Sequence, residues 1–215
     1  PTFPFDRHAM AYLNQLLDGR DAAAIDQIIL LADSGHDVTA IYRDVLLPAQ
    51  REIGRRWHLG LATIAEEHLV TEATCHVMAR LSCPATEVAD GRTVVAAAVA
   101  GNAHDIGLRA VAEMYRLAGW RVHFLGADVP ERDLSDMLSG FGADLLLLGA
   151  TLGVQVRQAA ETIRLVREGP DRHIGIVVGG AAFDAIPGLW RRIGADGYAI
   201  SLDDVVAVGE RLTGR

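Results

Sequence analysis

Apolar runs of strand length alternate with helical stretches in the second half of the chain, and this alternation restricts the fold more than any other feature. The apolar runs cover residues 93–100, 121–125, 144–148 and 173–178. The helical stretches cover residues 108–118, 131–140, 155–168 and 202–212. Strands that are continuously apolar must be covered on both faces, so the pattern predicts a buried parallel sheet between helices. Ligands of such sheets bind beyond the carboxyl ends of the strands. The loops expected to carry function are 101–107, 126–130, 149–154 and 179–183.

The first 83 residues have a helical periodicity and almost no strand signal. Helices are predicted over residues 8–18, 21–33, 38–58 and 63–82. We expect Pro48 to kink the third helix, and Thr63 followed by Glu66 predicts a capping box at the start of the fourth. Short connections between these helices predict a four-helix bundle. The predicted architecture is therefore α + α/β, with a bundle over 1–83, a linker over 84–92 and a parallel-sheet domain over 93–215.

Composition excludes several classes of function. The net charge is −8 and Lys is absent, so the chain is not expected to contact nucleic acid itself. No apolar run is long enough to span a membrane and no signal peptide is recognisable, which predicts a cytoplasmic protein. Position 1 is Pro rather than Met, so we expect a processed or excised part of a longer chain. No catalytic constellation stands out, which favours a non-enzyme.

The loop after the first strand has the sequence GNAHDIG and contains a candidate metal ligand, His104. A single histidine on a loop is most often only solvated. Here, however, Gly101 and Gly107 allow a bulky ligand to approach the backbone closely. We therefore interpret His104 as a metal ligand whose second ring nitrogen is bonded to Asn102 or Asp105, which fixes the tautomer.

Small residues also follow the third and fourth strands. These are Gly149-Ala150-Thr151 and Gly179-Gly180-Ala181. Together with the first loop they predict an open slot along the strand ends, although each one alone is equally typical of a tight turn. The pattern GxGxxG is missing, so a dinucleotide site is not supported.

The three loops together resemble the vitamin B12 (cobalamin)-binding domains of methionine synthases, corrinoid carrier proteins and base-off mutases. The pattern of that family is Asp-x-His-x-x-Gly, then Ser-x-Leu, then Gly-Gly. The first block here is Asn102-Ala103-His104-Asp105-Ile106-Gly107, with 41 residues between it and Gly149-Ala150-Thr151 and 27 more before Gly179-Gly180. The resemblance implies a Rossmann-like (flavodoxin-like) domain in which His104 is the lower axial ligand of cobalt. The displaced nucleotide tail then lies between the third and fourth strands.

This sequence departs from that family at three positions. Asn102 stands where the family has Asp, and Gly149 and Thr151 stand where it has Ser and Leu. An amide lacks the negative charge of a carboxylate, so the resemblance implies a less basic His104. The missing Ser removes one hydroxyl hydrogen bond to the tail.

The predicted bundle carries a second resemblance. Trp57-His58 near the end of the third helix is followed by Glu67-His68 in the fourth. Read alone, Trp57 is a core aromatic and Glu67-His68 a solvated helix face. The spacing nevertheless resembles the Trp-x9-Glu-His signature of CarH-type light-sensing regulators, whose bundle caps the upper face of adenosylcobalamin. By that resemblance Trp57 packs on the adenosyl group, Glu67 and His68 lie beside it, and His58 becomes the upper cobalt ligand after light cleaves the cobalt–carbon bond.

These resemblances favour a sensor module that binds adenosylcobalamin. The MerR-like DNA-binding domain of the CarH-type regulators is not part of this sequence, so we expect a homo-oligomer or a fused or associated output domain to read the signal. One alternative is a corrinoid carrier of a methyltransferase system, which shares the bundle and the His loop. Another alternative is a haem- or bilin-binding sensor, since a flat slot with one His accepts other tetrapyrroles. The sequence also leaves open whether a bilin binds beside B12. A mutase is not favoured because the catalytic barrel is missing.

Overall fold

The computed structural model of the chain describes residues 7–82 and 91–214. By its contacts the chain divides into two compact units, Pro1–Cys83 and Pro84–Arg215, which we call the helical unit and the α/β unit. The predicted linker, 84–92, lies mostly outside the described residues. Among the described residues, no helix is both long and apolar enough to cross a bilayer.

The helical unit follows the predicted pattern with one exception. Its helices are α1 (Arg7–Leu17), α2 (Asp21–Asp33), α3 (Val38–Ala40), α4 (Leu47–His58) and α5 (Ile64–Leu81). The exception is a π-helix over Ile41–Leu46, closed by the N–H of Leu47 donating to the carbonyl of Tyr42 five residues back. Pro48, which has no N–H to donate, follows directly in the first turn of α4. Within the predicted third helix, wider turns therefore lead directly into the proline.

The start of α5 is fixed by the predicted capping box, which is confirmed. The N–H of Glu66 donates to Thr63 Oγ1 at 3.2 Å, and the N–H of Thr63 donates to Glu66 Oε2 at 2.7 Å. Further along α5, the buried Thr74 hydroxyl lies 3.2 Å from the hydroxyl of the buried Tyr12 on α1. These two buried hydroxyls thus satisfy each other.

The α/β unit contains the predicted parallel sheet. Its strands are β1 (Thr93–Val99), β2 (Arg121–Val129), β3 (Leu145–Gly149), β4 (Gly175–Gly179) and β5 (Gly197–Ala199). They pair in parallel in the order β2-β1-β3-β4-β5. The helices are α6 (Ile106–Leu117), α7 (Glu131–Phe141), α8 (Val156–Glu168), α9 (Ala181–Asp184), α10 (Leu189–Arg192) and α11 (Val205–Leu212). The sequence did not predict β5, α9 or α10, because none of them has a long apolar or periodic run.

Helices cover both faces of this sheet. Every residue of β1 and β3 is buried. Val95 and Leu146 belong to the core under α7 and α8, and the alternation of side chains along a strand turns their neighbours toward α6 and α11. At Gly209 of α11 a Cβ would lie only 2.5 Å from the Tyr115 hydroxyl of α6. Glycine therefore allows these two helices to pack closely.

Strand β2 is longer than predicted. The apolar run ends at residue 125, but the strand continues to Val129 through two irregularities in its pairing with β1. Gly126 and Asp128 adopt positive φ values of 83° and 54°. The predicted functional loop at 126–130 is consequently almost all strand, and Asp128 lies beside the loop that follows β1.

Candidate functional site

The loop between β1 and α6 lies where the strand order reverses. Strand β1 is flanked by β2 and β3, and in sheets of this order ligands bind at the carboxyl ends of the strands around that point. His104 is exposed on this loop, two residues before α6 begins at Ile106. The predicted metal ligand thus lies at the point of the sheet where topology predicts a ligand site.

Asn102 is fully buried and fixes the backbone of this loop. Its Nδ2 donates to the carbonyl of Gly149 at the end of β3 at 3.0 Å, and its Oδ1 accepts from the N–H of His104 at 3.1 Å. A carboxylate could not donate to this carbonyl, so the contact depends on the amide at position 102. Because the acceptor is a backbone group, the contact does not depend on which side chain stands at position 149.

Asn102 and Asp105, the two predicted partners of the His104 ring, have other hydrogen-bond partners in this structure. The amide of Asn102 contacts backbone groups, and Asp105 Oδ2 accepts instead from the guanidinium of Arg109 at 3.1 Å. Arg109 is held in turn by stacking 4.4 Å above the centre of the Phe124 ring. Asp105 is drawn to Arg109 because the two residues are four apart on the first turn of α6, where opposite charges attract.

The other residues of the first block differ in exposure. Ala103 and Gly107 are exposed, and Ile106 is buried at the start of α6. A Cβ built on Gly107 would have no atom within 4 Å. The fold itself therefore does not require glycine there, which leaves open space for a ligand beside α6.

The glycines after β3 and β4 bring two backbones together. Gly149 pairs with Gly179, and the N–H of Ala150 donates to the carbonyl of Gly179 at 3.0 Å. Gly180 has a φ of 101°, and its Cβ would lie 2.3 Å from the carbonyl oxygen of Ala150. The close approach of the two backbones is thus sufficient to explain the glycine at position 180, which agrees with the interpretation of this loop as an ordinary tight turn. Thr151 is half-buried at the same edge.

Two residues that sequence reasoning missed connect these loops. Gln155 is buried just before α8, and its Nε2 donates to the carbonyl of Gly101 at 2.8 Å. Asp128 accepts from the N–H of Gly101 through Oδ1 at 2.6 Å. The only sequence signals were a Gln at the start of the predicted helix 155–168 and an Asp in the predicted loop 126–130.

The predicted residues of the helical unit lie around the turn between α4 and α5. Trp57 is 47% exposed in the last turn of α4, and His58 and His68 are exposed. Glu67 is half-buried, and its Oε1 accepts from Thr71 Oγ1 at 3.0 Å. Its other oxygen lies 3.7 Å from His68 Nε2. Trp57 is therefore not the core aromatic of the alternative interpretation.

Gln50 of α4 extends the network around Glu67. Gln50 Nε2 donates to Thr71 Oγ1 at 2.5 Å and lies 3.4 Å from Glu67 Oε1. These contacts tie α4 to α5 about two turns before Trp57 and orient the Glu67 carboxylate. The structure thus brings Glu67 and His68 into contact with each other and fixes the orientation of the Glu67 carboxylate.

The donor set of the α/β unit fits a corrinoid. Within residues 7–82 and 91–214, no three His, Cys, Asp or Glu side chains converge to hold a metal ion by themselves. A corrinoid ring supplies the equatorial donors of its cobalt, so the protein needs to add only an axial imidazole. His104 suits that role, because it is exposed and its backbone is fixed by Asn102.

Family models match both units. A model described as a B12 binding domain matches residues 92–206, and a second model with the same description matches residues 9–82.

Known relatives include corrinoid proteins and a repressor. The dimethylamine corrinoid protein of Methanosarcina barkeri is 27% identical over 207 residues, which cover 93% of this chain and 96% of that protein. Dimethylamine corrinoid protein 3 of Methanosarcina acetivorans is 33% identical over 120 residues, 55% of each chain. The HTH-type transcriptional repressor CarH of Myxococcus xanthus is 32% identical over 143 residues, 66% of this chain and 47% of that protein.

Solved structures show the same fold. The monomethylamine corrinoid protein of Methanosarcina barkeri superposes with a TM-score of 0.76 at 19% identity, covering 97% of both chains. A chain of the methanol:cobalamin methyltransferase complex from the same organism gives a TM-score of 0.53 at 18% identity, covering 99% of this chain and 82% of that one.

Proposed function

Since the chain belongs to the B12-binding domain family and is a cobalamin-binding protein, we propose that it is a sensor that binds adenosylcobalamin and signals when light cleaves the cobalt–carbon bond. His104 is the lower axial ligand in this proposal. Around it, the cofactor contacts are made by the residues of the three strand-end loops, namely Asn102, Ala103, Asp105, Ile106, Gly107, Gly149, Ala150, Thr151, Gly179 and Gly180.

The backbone that carries the proposed lower ligand is held in place. The N–H of His104 is restrained by Asn102, so less of the loop would have to be ordered when the imidazole replaces the cofactor's own base. The open space at Gly107 allows a flat macrocycle to approach the start of α6. Both features support base-off binding with His104 on cobalt.

The observation that carries the sensor proposal is the exposed Trp57. Trp57, Leu61 (69% exposed) and Ile64 (56% exposed) are large apolar side chains left in water around the α4–α5 turn, which is unfavourable unless something covers them. A methyl group on cobalt is too small to cover an indole ring, whereas an adenine ring can stack on it. We therefore propose that Trp57 contacts the adenosyl group.

Polar groups beside Trp57 support the same ligand. Glu67 is oriented by Thr71 and Gln50 and paired with His68, so its carboxylate is in place to accept hydrogen bonds from hydroxyl or amino groups of an adenosyl moiety. When bound, adenosylcobalamin supplies a cobalt–carbon bond that visible light breaks. His58, exposed next to Trp57, is then the candidate upper ligand, and a second copy of the chain or an output domain reads the change.

The second candidate function is a corrinoid carrier for a methyltransferase. It is favoured by the relative of nearly equal length, the dimethylamine corrinoid protein, whose alignment covers 93% of this chain. A carrier must expose cobalt to a partner enzyme, and it gains nothing from a large aromatic surface matched to adenosine.

The experiment that separates these functions is an absorption spectrum of the purified protein with adenosylcobalamin, taken in the dark and after green light. The sensor predicts tight dark binding and a rapid change to a stable photoproduct, with weaker binding of methylcobalamin. Equal or tighter binding of methylcobalamin, or an adenosyl complex that survives illumination, would leave the carrier as the better description. His58→Ala in the same experiment should give a different photoproduct, and an identical one would remove His58 from the mechanism.

A further inference from the structure

The backbone N–H and carbonyl of Gly101 are held from both sides by side chains of neighbouring strand-end segments. Its N–H donates to Asp128 Oδ1 at 2.6 Å, and its carbonyl accepts from Gln155 Nε2 at 2.8 Å. Asp128 belongs to β2 and Gln155 to the turn after β3, the two strands that flank β1. Gly101 itself has a φ of 75°, so its backbone conformation is one that glycine adopts easily.

Gln155 uses both ends of its amide. Its Oε1 accepts from the N–H groups of Thr151 and Leu152, both at 2.9 Å, while its Nε2 reaches Gly101. The residue is only 4% exposed, so loss of one partner would leave a buried polar group unsatisfied. One side chain therefore joins the loop after β3 to the loop that carries His104.

Asp128 makes a reciprocal contact from the other side. Its carboxylate accepts from Gly101, and its own N–H donates to the carbonyl of Asn102 at 3.0 Å. Its φ of 54° lies in the left-handed region, which non-glycine residues other than Asn and Asp adopt rarely. A conformation of this kind persists only where the surrounding contacts hold it.

We propose that Gln155 and Asp128 are positioning residues that hold the His104 loop in its metal-ligating conformation before the cofactor arrives. The inference rests on the proposed function, in which His104 ligates cobalt. Two residues separate Gly101 from His104, and Asn102 restrains the backbone between them. A loop that is already ordered loses less conformational freedom on binding, so removing either contact should weaken cobalamin binding and lower the fraction ligated by histidine.

Single substitutions can remove one contact at a time. Gln155→Glu keeps an acceptor for Thr151 and Leu152 but cannot donate to Gly101, and its charge repels that carbonyl. Its control is Arg157→Gln, which lowers the net charge equally at an exposed position of α8. Asp128→Gly allows the left-handed backbone but removes the oxygen that accepts from Gly101. Asp128→Asn keeps the left-handed backbone and an acceptor oxygen, and it serves as the conservative rescue.

Two measurements report on the loop independently of light sensing. Amide hydrogen exchange of the cofactor-free protein should be faster over 101–105 in Q155E and D128G than in wild type, R157Q or D128N. Cobalamin affinity should fall roughly 10-fold in Q155E and D128G, the lower end of the range for residues that support a metal ligand. D128N and R157Q should stay within about threefold of wild type.

A spectroscopic readout separates this inference from the proposed function. In cobalt(II) cobalamin bound to protein labelled with nitrogen-15 histidine, electron paramagnetic resonance shows whether the axial nitrogen comes from the protein. Wild type should show the histidine nitrogen, and Q155E and D128G should show a mixture with the cofactor's own base.

If wild type lacks the histidine signal, the proposed function fails and this inference with it. If wild type shows it while Q155E and D128G match wild type in exchange, affinity and spectrum, only this inference is overturned. Should Q155E fail to fold, the D128G and D128N pair decides alone.

Discussion

In the α/β unit the loop that carries His104 is fixed by buried side chains, whereas in the helical unit the residues around Trp57 lie mainly at the surface. Asn102 and Gln155 are buried and bond the backbones of adjacent loops. Trp57 is nearly half exposed, His58 and His68 are exposed, and Glu67 is oriented by side-chain contacts. One unit thus presents a histidine on a restrained loop, and the other presents side chains that are mostly exposed.

The difference follows from the two architectures. Parallel strands end at one edge of the sheet, so their loops lie side by side and can hydrogen-bond to each other. Two antiparallel helices joined by a short turn instead leave the turn and its flanking side chains exposed. The proposed sensor would use both kinds of region, because one must keep hold of the ligand while the other adopts a second arrangement.

The largest expected effect comes from removing the histidine on the restrained loop. His104→Ala should weaken cobalamin binding by more than about 100-fold, beyond the 10–100-fold that supporting residues contribute. Isothermal titration or spectral titration in the dark measures it. The control is His173→Ala, which removes an exposed imidazole before β4, away from the carboxyl edge. Equal affinity of H104A and H173A would contradict the assignment of His104.

The next largest effect is expected from a pair of glycine substitutions, which separates the role of glycine in folding from its role in binding in the α/β unit. Gly180→Ala places a Cβ 2.3 Å from the Ala150 carbonyl at a φ of 101°, so it should cost about 3 kcal/mol of stability. Gly107→Ala meets no atom within 4 Å and lies in α6, so stability should rise by about 0.5 kcal/mol.

Thermal unfolding and cobalamin titration of both variants sharpen the comparison. G107A should bind cobalamin more weakly than wild type in spite of its stability, because the added methyl group occupies the space left for the ligand. Unchanged affinity in G107A would show that the ligand does not approach the start of α6.

A smaller effect is expected from the exposed aromatic of the helical unit. Trp57→Ala should weaken adenosylcobalamin binding about 10-fold, or about 1.4 kcal/mol, and leave methylcobalamin binding unchanged. Trp57→Phe should retain part of the preference because it keeps an aromatic face. The ratio of the two dissociation constants in dim red light is the measurement, and a ratio equal to that of wild type in W57A would show that Trp57 does not contact the upper ligand.

The smallest effect tests whether the α4–α5 turn matters only for stability. Thr63→Ala removes the hydroxyl that caps α5, which should cost about 1 kcal/mol of unfolding free energy. Chemical unfolding of the cofactor-free protein measures it, with Thr63→Ser as the conservative control. A loss of adenosyl preference as large as in W57A would show that the position of the turn, and not Trp57 alone, selects the ligand.

Sequence alone predicted the parts of the fold that depend on local patterns. The long apolar runs of β1 and β3 and the Thr63–Glu66 capping box are each specified by a few neighbouring residues. The three-residue β5 and the π-helix at Ile41–Leu46 depend on packing from distant parts of each unit, so no local pattern indicates them.

The candidate site was predictable to a similar degree. His104 was found because its motif is contiguous and its neighbours are glycines. Gln155 and Asp128 were missed because they act on Gly101 across 54 and 27 residues of sequence. The role of Asn102 was misjudged, since the carbonyl of Gly149 that its amide reaches is visible only once the strands are placed.

Hydrogen exchange of the adenosylcobalamin complex, in the dark and after green light, tests the assignment of a fixed and a responsive region most directly. We predict that illumination changes exchange over residues 57–68 of the helical unit, while residues 101–105 stay as protected as in the dark. No change over 57–68, or loss of protection at 101–105 with 57–68 unaffected, would contradict the assignment.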